Sequence, residues 1–351
     1  MKHLDCFAGA GGFSLALKQA IEKVETIGFS EIDKFAIQTY QKNFPWVPNF
    51  WDISKIDIAG LPDFDLLTGG FPCQDVSVAG KQNLDWWRTI LVEYLLQMLE
   101  IKKPQYFVFE NVKWLMSQKF TTFRNSIFDR IVEAGYEYDV AILNTRDFWI
   151  PQNRERAFIV WSYWDLDFEF PKWKELQVFL RDILEDEVEE KYYLNQKQVD
   201  KIVNSSFMQE KLRLQKKEYC DTLLARDYKD PKCIIERPHG NNKGSIRSDW
   251  ISPTIRCQVD WNTLVTNFYN RKVLWEVINT IWTHMWATNK QWVQVHKKWR
   301  IRKLTPIECE RLQGFDDNWT EWVSNSQRYK QMWNAISIPP VREIFINLIK
   351  K

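Results

Sequence analysis

The chain has 351 residues, 45% hydrophobic and 27% charged, a balance that fits about two soluble globular domains and excludes intrinsic disorder. No apolar run approaches the roughly 18 residues that cross a bilayer, and the N-terminus lacks the basic stretch and apolar core of a secretory signal, so a cytoplasmic protein without membrane contact is expected. Lys+Arg number 48 against Asp+Glu 46, so any face for a polyanion must be local rather than global.

Residues 1–165 alternate short apolar runs with amphipathic stretches: "HLDCFAG", "FDLLTGG", "YFVFENV" and "RAFIVWS" are separated by "FSLALKQAIEKV" and "TILVEYLLQMLEI". This alternation predicts a doubly wound, Rossmann-like α/β domain with a mostly parallel sheet and a ligand at the carboxyl ends of its strands. In "LDCFAGAGGFSLALKQAI" a predicted strand runs into Gly9, Gly11 and Gly12, and a helix follows from about Ser14. Glycines there permit a tight turn and close approach of backbone to a ligand, and the helix start leaves N–H groups free. Glu31 lies about 20 residues further on, where a carboxylate could accept ribose hydroxyls. These features leave NAD and S-adenosylmethionine both open.

The segment "DLLTGGFPCQDVSVAGK" is a predicted buried strand ending in a Gly-Gly turn and Pro72-Cys73-Gln74. It places a thiol where this architecture does its chemistry. "QYFVFENV" brings Glu110 and Asn111 to the same edge, and "PQNRERAFIV" brings Arg154 and Arg156 just before another strand. A dehydrogenase offers no joint role for Cys73, Glu110 and Arg156. The six cysteines (Cys6, Cys73, Cys220, Cys233, Cys257, Cys309) form no C-x-x-C pair, so reduced thiols and no metal site are expected. From about 185 to 300 the sequence turns polar and mixed, which predicts a second, smaller domain. Its basic segments 241–247 and 296–303 could neutralise phosphates.

Taken in order, "FAGAGGFSLAL", "EID", "WDI", "GGFPCQDVSVAG", "FENV", "PQNRERAFIV", "RKLTPIECERLQGF" and "NAISIPPV" resemble the cytosine-5 DNA methyltransferases, bacterial modification enzymes above all. The resemblance implies a catalytic and cofactor-binding domain over 1–184, a target recognition domain with its hinge over 185–326, and a C-terminal segment, 327–351, returning to the first. It implies S-adenosyl-L-methionine as co-substrate, double-stranded DNA as partner, a monomer, and a restriction endonuclease encoded nearby. Cys73 would add to carbon 6 of a flipped-out cytosine, Glu110 would bind N3, Arg156 would hold O2, and Arg154 would support the site's electrostatics. Phe7, Gly9, Gly11, Glu31, Asp52, Ile53, Pro72 and Asn334 would line the cofactor site; Gln74, Ser77 and Arg88 would touch DNA. A tRNA methyltransferase of the same fold and a catalytically impaired DNA-binding relic are the alternatives.

The chain departs from the family where Trp51, Trp114, Trp149 and Trp333 stand in place of the usual glycine; Trp46 and the Trp86-Trp87 pair look similar, whereas Trp319 stands where the family accepts tryptophan. Tryptophan numbers 19 and glycine 12, although glycine at its usual share of about 7% would number about 25. A UGA codon that the source organism reads as glycine, rendered here as tryptophan, accounts for both observations.

Overall fold

A computed structural model describes residues 1–72, 91–162, 168–174, 177–195, 220–221, 233–236 and 300–349. The first apolar run forms β1 (Lys2–Cys6), which lies between β2 (Glu25–Ser30) and β3 (Leu66–Gly70), parallel to both. Next to β3, again in parallel, runs β4 (Tyr106–Val112). After β5 (Asp139–Asn144) and the two-residue β6 (Gln152–Asn153), the chain enters β7 (Glu155–Ser162), which inserts between β4 and β5 antiparallel to both. The sheet order is β2-β1-β3-β4-β7-β5. Because β7 runs backwards, its first residues, not its last, reach the carboxyl edge of the parallel strands. Arg156 is therefore paired in register with Val112 at that edge.

Helices α1 (Gly12–Ala20), α2 (Lys34–Asn43), α3 (Leu91–Lys102) and α4 (Thr121–Glu133) alternate with the strands. Successive residues of each central strand feed opposite cores: Val108 and Val160 enter one, and Phe107, Phe109 and Ile159 enter the other. Burial on both faces explains why these strands read as continuous apolar runs rather than alternating ones. Near the C-terminus, α5 (Pro306–Arg311), α6 (Asn325–Asn334) and α7 (Ile338–Ile349) close the first core, with the rings of Phe13 on α1 and Phe345 on α7 6.4 Å apart.

The boundary drawn at 326 from sequence needs correction. Leu304, Leu312, Phe315 and Trp319 pack in the same core as Phe13, Leu17 and Ile344, so the α/β domain resumes at about residue 304. Composition hid this because α5 is short and buries Glu308 and Glu310 along with Pro306 and Cys309, so its letters read as a polar surface. Little of the intervening segment is described: β8 (Cys220–Asp221) pairs with β6, and β9 (Cys233–Glu236) with β10 (Arg300–Lys303). The basic segment 241–247 lies outside the described residues.

Where the chain leaves toward that segment and returns, Glu308 ties the two crossings together. Thr305 caps α5 by accepting from the Glu308 N–H at 3.1 Å, and Glu308 reciprocates from the Thr305 N–H at 2.8 Å, the reciprocal cap that "TPIE" encodes. The same carboxylate takes both terminal nitrogens of Arg302, at 2.7 and 2.6 Å, and the N–H of Glu185 at 3.0 Å. Neither Arg302 nor Glu308 side chain is exposed. Removing one partner of such a pair leaves a buried charge, so Glu308→Ala is expected to cost about 3–5 kcal/mol of stability; a urea melt checks this, and a loss below about 1 kcal/mol would contradict it.

Candidate active site

The glycine turn sits at the carboxyl end of β1. Phe7, Gly9 and Gly11 all take left-handed backbone, with φ of 53°, 55° and 88°. A Cβ at Gly11 would come within 2.9 Å of Phe44, whereas one at Gly9 would meet nothing within 4 Å. The turn is thus closed on the protein side at Gly11 and open at Gly9, and no side chain caps α1 behind it. Glu31, at the end of β2, accepts the Gly9 N–H at 2.9 Å through one oxygen and the N–H groups of Ile32 and Asp33, both at 2.8 Å, through the other. Asp52 accepts from the hydroxyl and N–H of Ser54, at 2.7 and 3.0 Å, which hold its carboxyl below the usual range. Ile53 beside it is buried in the second core.

Under this turn runs a buried polar chain that the sequence reading missed. His3 Nε2 meets Thr68 Oγ1 at 2.7 Å, Thr68 donates to Asp5 at 3.1 Å, Ser14 donates to the other Asp5 oxygen at 2.7 Å, and Ser14 meets Tyr40 OH at 2.7 Å. It pins β1 to the first turn of α1. The signal was His3 and Asp5 at alternate positions of a strand they share with Leu4 and Cys6, which puts both on one face, the α1 side.

Burial raises the Asp5 carboxyl to about 7, against hydrogen bonds from Ser14 and Thr68 that lower it, and burial lowers His3 to about 3. The stability contributed by Asp5 is full below about pH 4 and lost as pH rises toward 7; that of His3 is full above about 6.5 and lost as pH falls toward 3. Between about pH 4 and 6.5 the two slopes oppose and cancel. In His3→Gln only the Asp5 slope remains, so stability should fall with rising pH across this window by up to ~1.4 kcal/mol per unit. Denaturation at pH 4.5 and 6.5 checks this, and a flat profile in the variant would contradict it.

Across the carboxyl edge, Arg156 Nε lies 2.9 Å from Glu110 Oε1, with the side chains 15% and 12% exposed. The pair is half-sheltered yet reachable from the edge. Gly70 is the register partner of Glu110, and a Cβ at Gly70 would come within 3.4 Å of the carboxylate, so glycine leaves the acid its room. Buried Asn111 donates to the Phe71 carbonyl at 3.2 Å, fixing the end of β3 beside Glu110. Exposed Pro72 is the last described residue before the segment carrying Cys73. Cys73, Gln74, Ser77 and Arg88 lie outside the described residues. Among those described, Cys6 and Cys309 are buried, and burial pushes the Cys6 thiol up, so neither is a ready nucleophile.

Arg154 is placed differently from Arg156. It is buried, and its Nη2 donates to the carbonyls of Trp333 at 3.3 Å and Ala335 at 2.6 Å. Ser337 in turn contacts Thr145 at 2.9 Å and donates to Gln313 at 2.7 Å. These bonds press the C-terminal segment onto the glycine turn, where Ile336 Cγ1 would lie 2.6 Å from a Cβ on Gly12. Asn334, in the same segment, is exposed at the end of α6.

Such an edge, with a glycine turn, an acid and an arginine on one doubly wound sheet, defines an α/β enzyme of the methyltransferase type. The sequence profile of the C-5 cytosine-specific DNA methylase family matches residues 1–350, and the chain belongs to that family, whose activity is DNA (cytosine-5)-methyl transfer. It is 32% identical to the type II methyltransferase M.NlaX of Neisseria lactamica, covering 98% of this chain and 94% of that protein. Identity with M1.ScrFI of Lactococcus lactis subsp. cremoris is 33%, over 98% of this chain and 76% of that protein. Among solved structures it shares its fold with the Entamoeba histolytica methyltransferase EhMeth (TM-score 0.71, 16% identity, 100% and 98% coverage) and with Spodoptera frugiperda DNMT2 (TM-score 0.67, 19% identity, 99% of both chains). No helix among the described residues is long and apolar enough to cross a membrane.

Proposed function

We propose that the protein methylates carbon 5 of a cytosine flipped out of a specific DNA duplex, through a covalent adduct on Cys73, as the modification enzyme of a restriction-modification system. The observation that carries this reading is the Glu110–Arg156 pair at the edge where β3 leads into Cys73. The residues present fit S-adenosyl-L-methionine: the Gly9 side of the turn is open, Glu31 meets that turn at the Gly9 N–H, and Asp52, Pro72 and Asn334 are the further residues that would hold it. When bound, S-adenosyl-L-methionine supplies the electrophilic methyl group that carbon 5 takes.

Carbon 5 of cytosine is too weakly nucleophilic to take a methyl group unaided. The Cys73 thiolate forms a bond to carbon 6 and pushes electron density toward carbon 5, while Glu110 holds a proton at N3. Arg156 donates to O2 and is itself oriented by Glu110, so negative charge developing on the ring meets fixed donors. After methylation, loss of the carbon 5 proton returns electrons to the ring and breaks the sulfur–carbon bond. Arg154 acts at one remove, by holding the C-terminal segment against the cofactor turn. None of these atoms is reachable in a stacked duplex, so the base must leave the helix at a cost of a few kcal/mol. Gln74, Ser77, Arg88 and the segment between about 185 and 303 supply the compensating DNA contacts. The enzyme acts as a monomer, with a cognate endonuclease encoded nearby.

The test is methyl transfer from labelled S-adenosyl-L-methionine to duplex DNA, followed by nucleoside analysis. Label in 5-methyldeoxycytidine is the expected result. Label in a methylated adenine, or in tRNA with none in DNA, would overturn the reading.

A further inference from the structure

The backbone is least tolerant of an indole at two of the tryptophans. Among the described residues, the non-glycine residues with positive φ are Phe7, Trp51, Lys103, Trp149 and Asn318, and left-handed backbone places the Cβ of an L-residue too close to its own carbonyl. Position 51 is held at φ 62° from outside: its N–H donates to Asn49 Oδ1 at 2.8 Å, and its carbonyl accepts from the Ser30 hydroxyl at 2.6 Å. Position 149, at φ 64°, is the left-handed residue that ends the 3-10 turn Thr145–Phe148, the place where glycine ordinarily terminates a helix. Trp46 follows Pro45 at the corner of a turn closed by the Val47 N–H to the Phe44 carbonyl at 3.2 Å, a setting in which Pro-Gly is the common pair.

Exposure separates Trp46 and Trp51 from a tryptophan used as one; Trp149 is half-buried with the Lys174 ammonium 4.0 Å over its ring, and its backbone alone singles it out. Trp46 is 93% exposed and Trp51 60%, while Trp319 is 8% exposed, packs against Phe44 and Phe315, and donates its indole N–H to the Ala10 carbonyl at 2.8 Å. A large aromatic ordinarily earns its place through burial and a satisfied polar tip, which Trp319 has. With tryptophan at 19 and glycine at 12 in the whole chain, one cause acting at many positions is simpler than many separate substitutions.

We infer that positions 46, 51 and 149, and with them 114 and 333, are glycine in the protein its source cell makes, encoded by UGA codons that the cell assigns to glycine. UGA differs by one base from the tryptophan codon UGG and by one from the glycine codon GGA.

The test is the gene sequence at codons 46, 51 and 149 against codon 319. UGA at the first three with UGG at 319 is expected; UGG at 51 or at 149 overturns the inference. A second measurement needs no gene and no turnover: the W46G/W51G/W149G chain should melt a few degrees above the tryptophan-bearing chain, because two left-handed strains are relieved. An equal or lower melting temperature counts against it. Neither readout depends on methyl transfer, so failure here is separate from failure of the catalytic reading.

Discussion

Cys73→Ser, made in the chain with glycine at positions 46, 51, 114, 149 and 333, is expected to lower methyl transfer by about 10⁴-fold or more. A free thiol with pKa near 8.5 is a few per cent ionised at neutral pH and is intrinsically very nucleophilic, whereas a serine hydroxyl is neither. The exchange changes one atom, and the Glu110–Arg156 pair and the glycine turn are built from other strands. Affinities for duplex DNA and for S-adenosyl-L-methionine should therefore stay within about threefold of the parent, a difference below ~0.7 kcal/mol. Single-turnover methylation and DNA titration on the same preparation check both halves. A serine variant that keeps even a tenth of the parent rate would remove the adduct from the mechanism.

Glu110→Gln is expected to lower kcat by about 10²–10³, the range found when one preorganised electrostatic contact to a developing charge is lost. Glutamine keeps the volume that Gly70 leaves open, where a Cβ would stand 3.4 Å from the carboxylate. It cannot hold an acidic proton for N3, and it replaces the charged partner of Arg156 Nε, 2.9 Å away in the parent, with a neutral amide. The loss should appear in kcat more than in KM for DNA, because the interaction strengthens as charge builds on the ring. A variant with a raised KM and unchanged kcat would make Glu110 a DNA-binding residue instead.

The parts of the site that could be read from sequence are those in which chemistry sits beside a chain-reversing glycine or proline. The turn at Gly9–Gly11 and the Gly-Gly-Phe-Pro run each follow an apolar run directly, and the acid of "FENV", with no glycine or proline beside it, was marked instead by its place at the end of such a run. The direction of β7 was not readable, since an apolar period carries no sense of parallel or antiparallel; it was the reversal of β7 that brought Arg156 to the acid. Arg154 and Arg156 look equivalent in "RER", yet in a strand-entry segment residues two apart need not share surroundings. One meets Glu110, and the other meets the carbonyls of Trp333 and Ala335. The chain from His3 through Asp5 to Tyr40 was hidden because polar groups paired to one another within a core leave only two odd letters in an apolar run. The return at residue 304 was missed for a related reason: Glu308 and Arg302 count as charged in composition, although both are fully buried against each other.

Covalent capture of Cys73 is the most direct test of the central claim. The glycine-bearing chain is incubated with S-adenosyl-L-methionine and a duplex in which cytosines carry fluorine at carbon 5. Fluorine cannot leave as a proton does, so an adduct formed at carbon 6 persists after methyl transfer. The account predicts a denaturation-resistant protein–DNA complex whose digestion yields a single nucleotide-bearing peptide containing Cys73, with one added methyl group. Absence of any covalent complex from a preparation that methylates the unsubstituted duplex, or attachment at another residue, would contradict it.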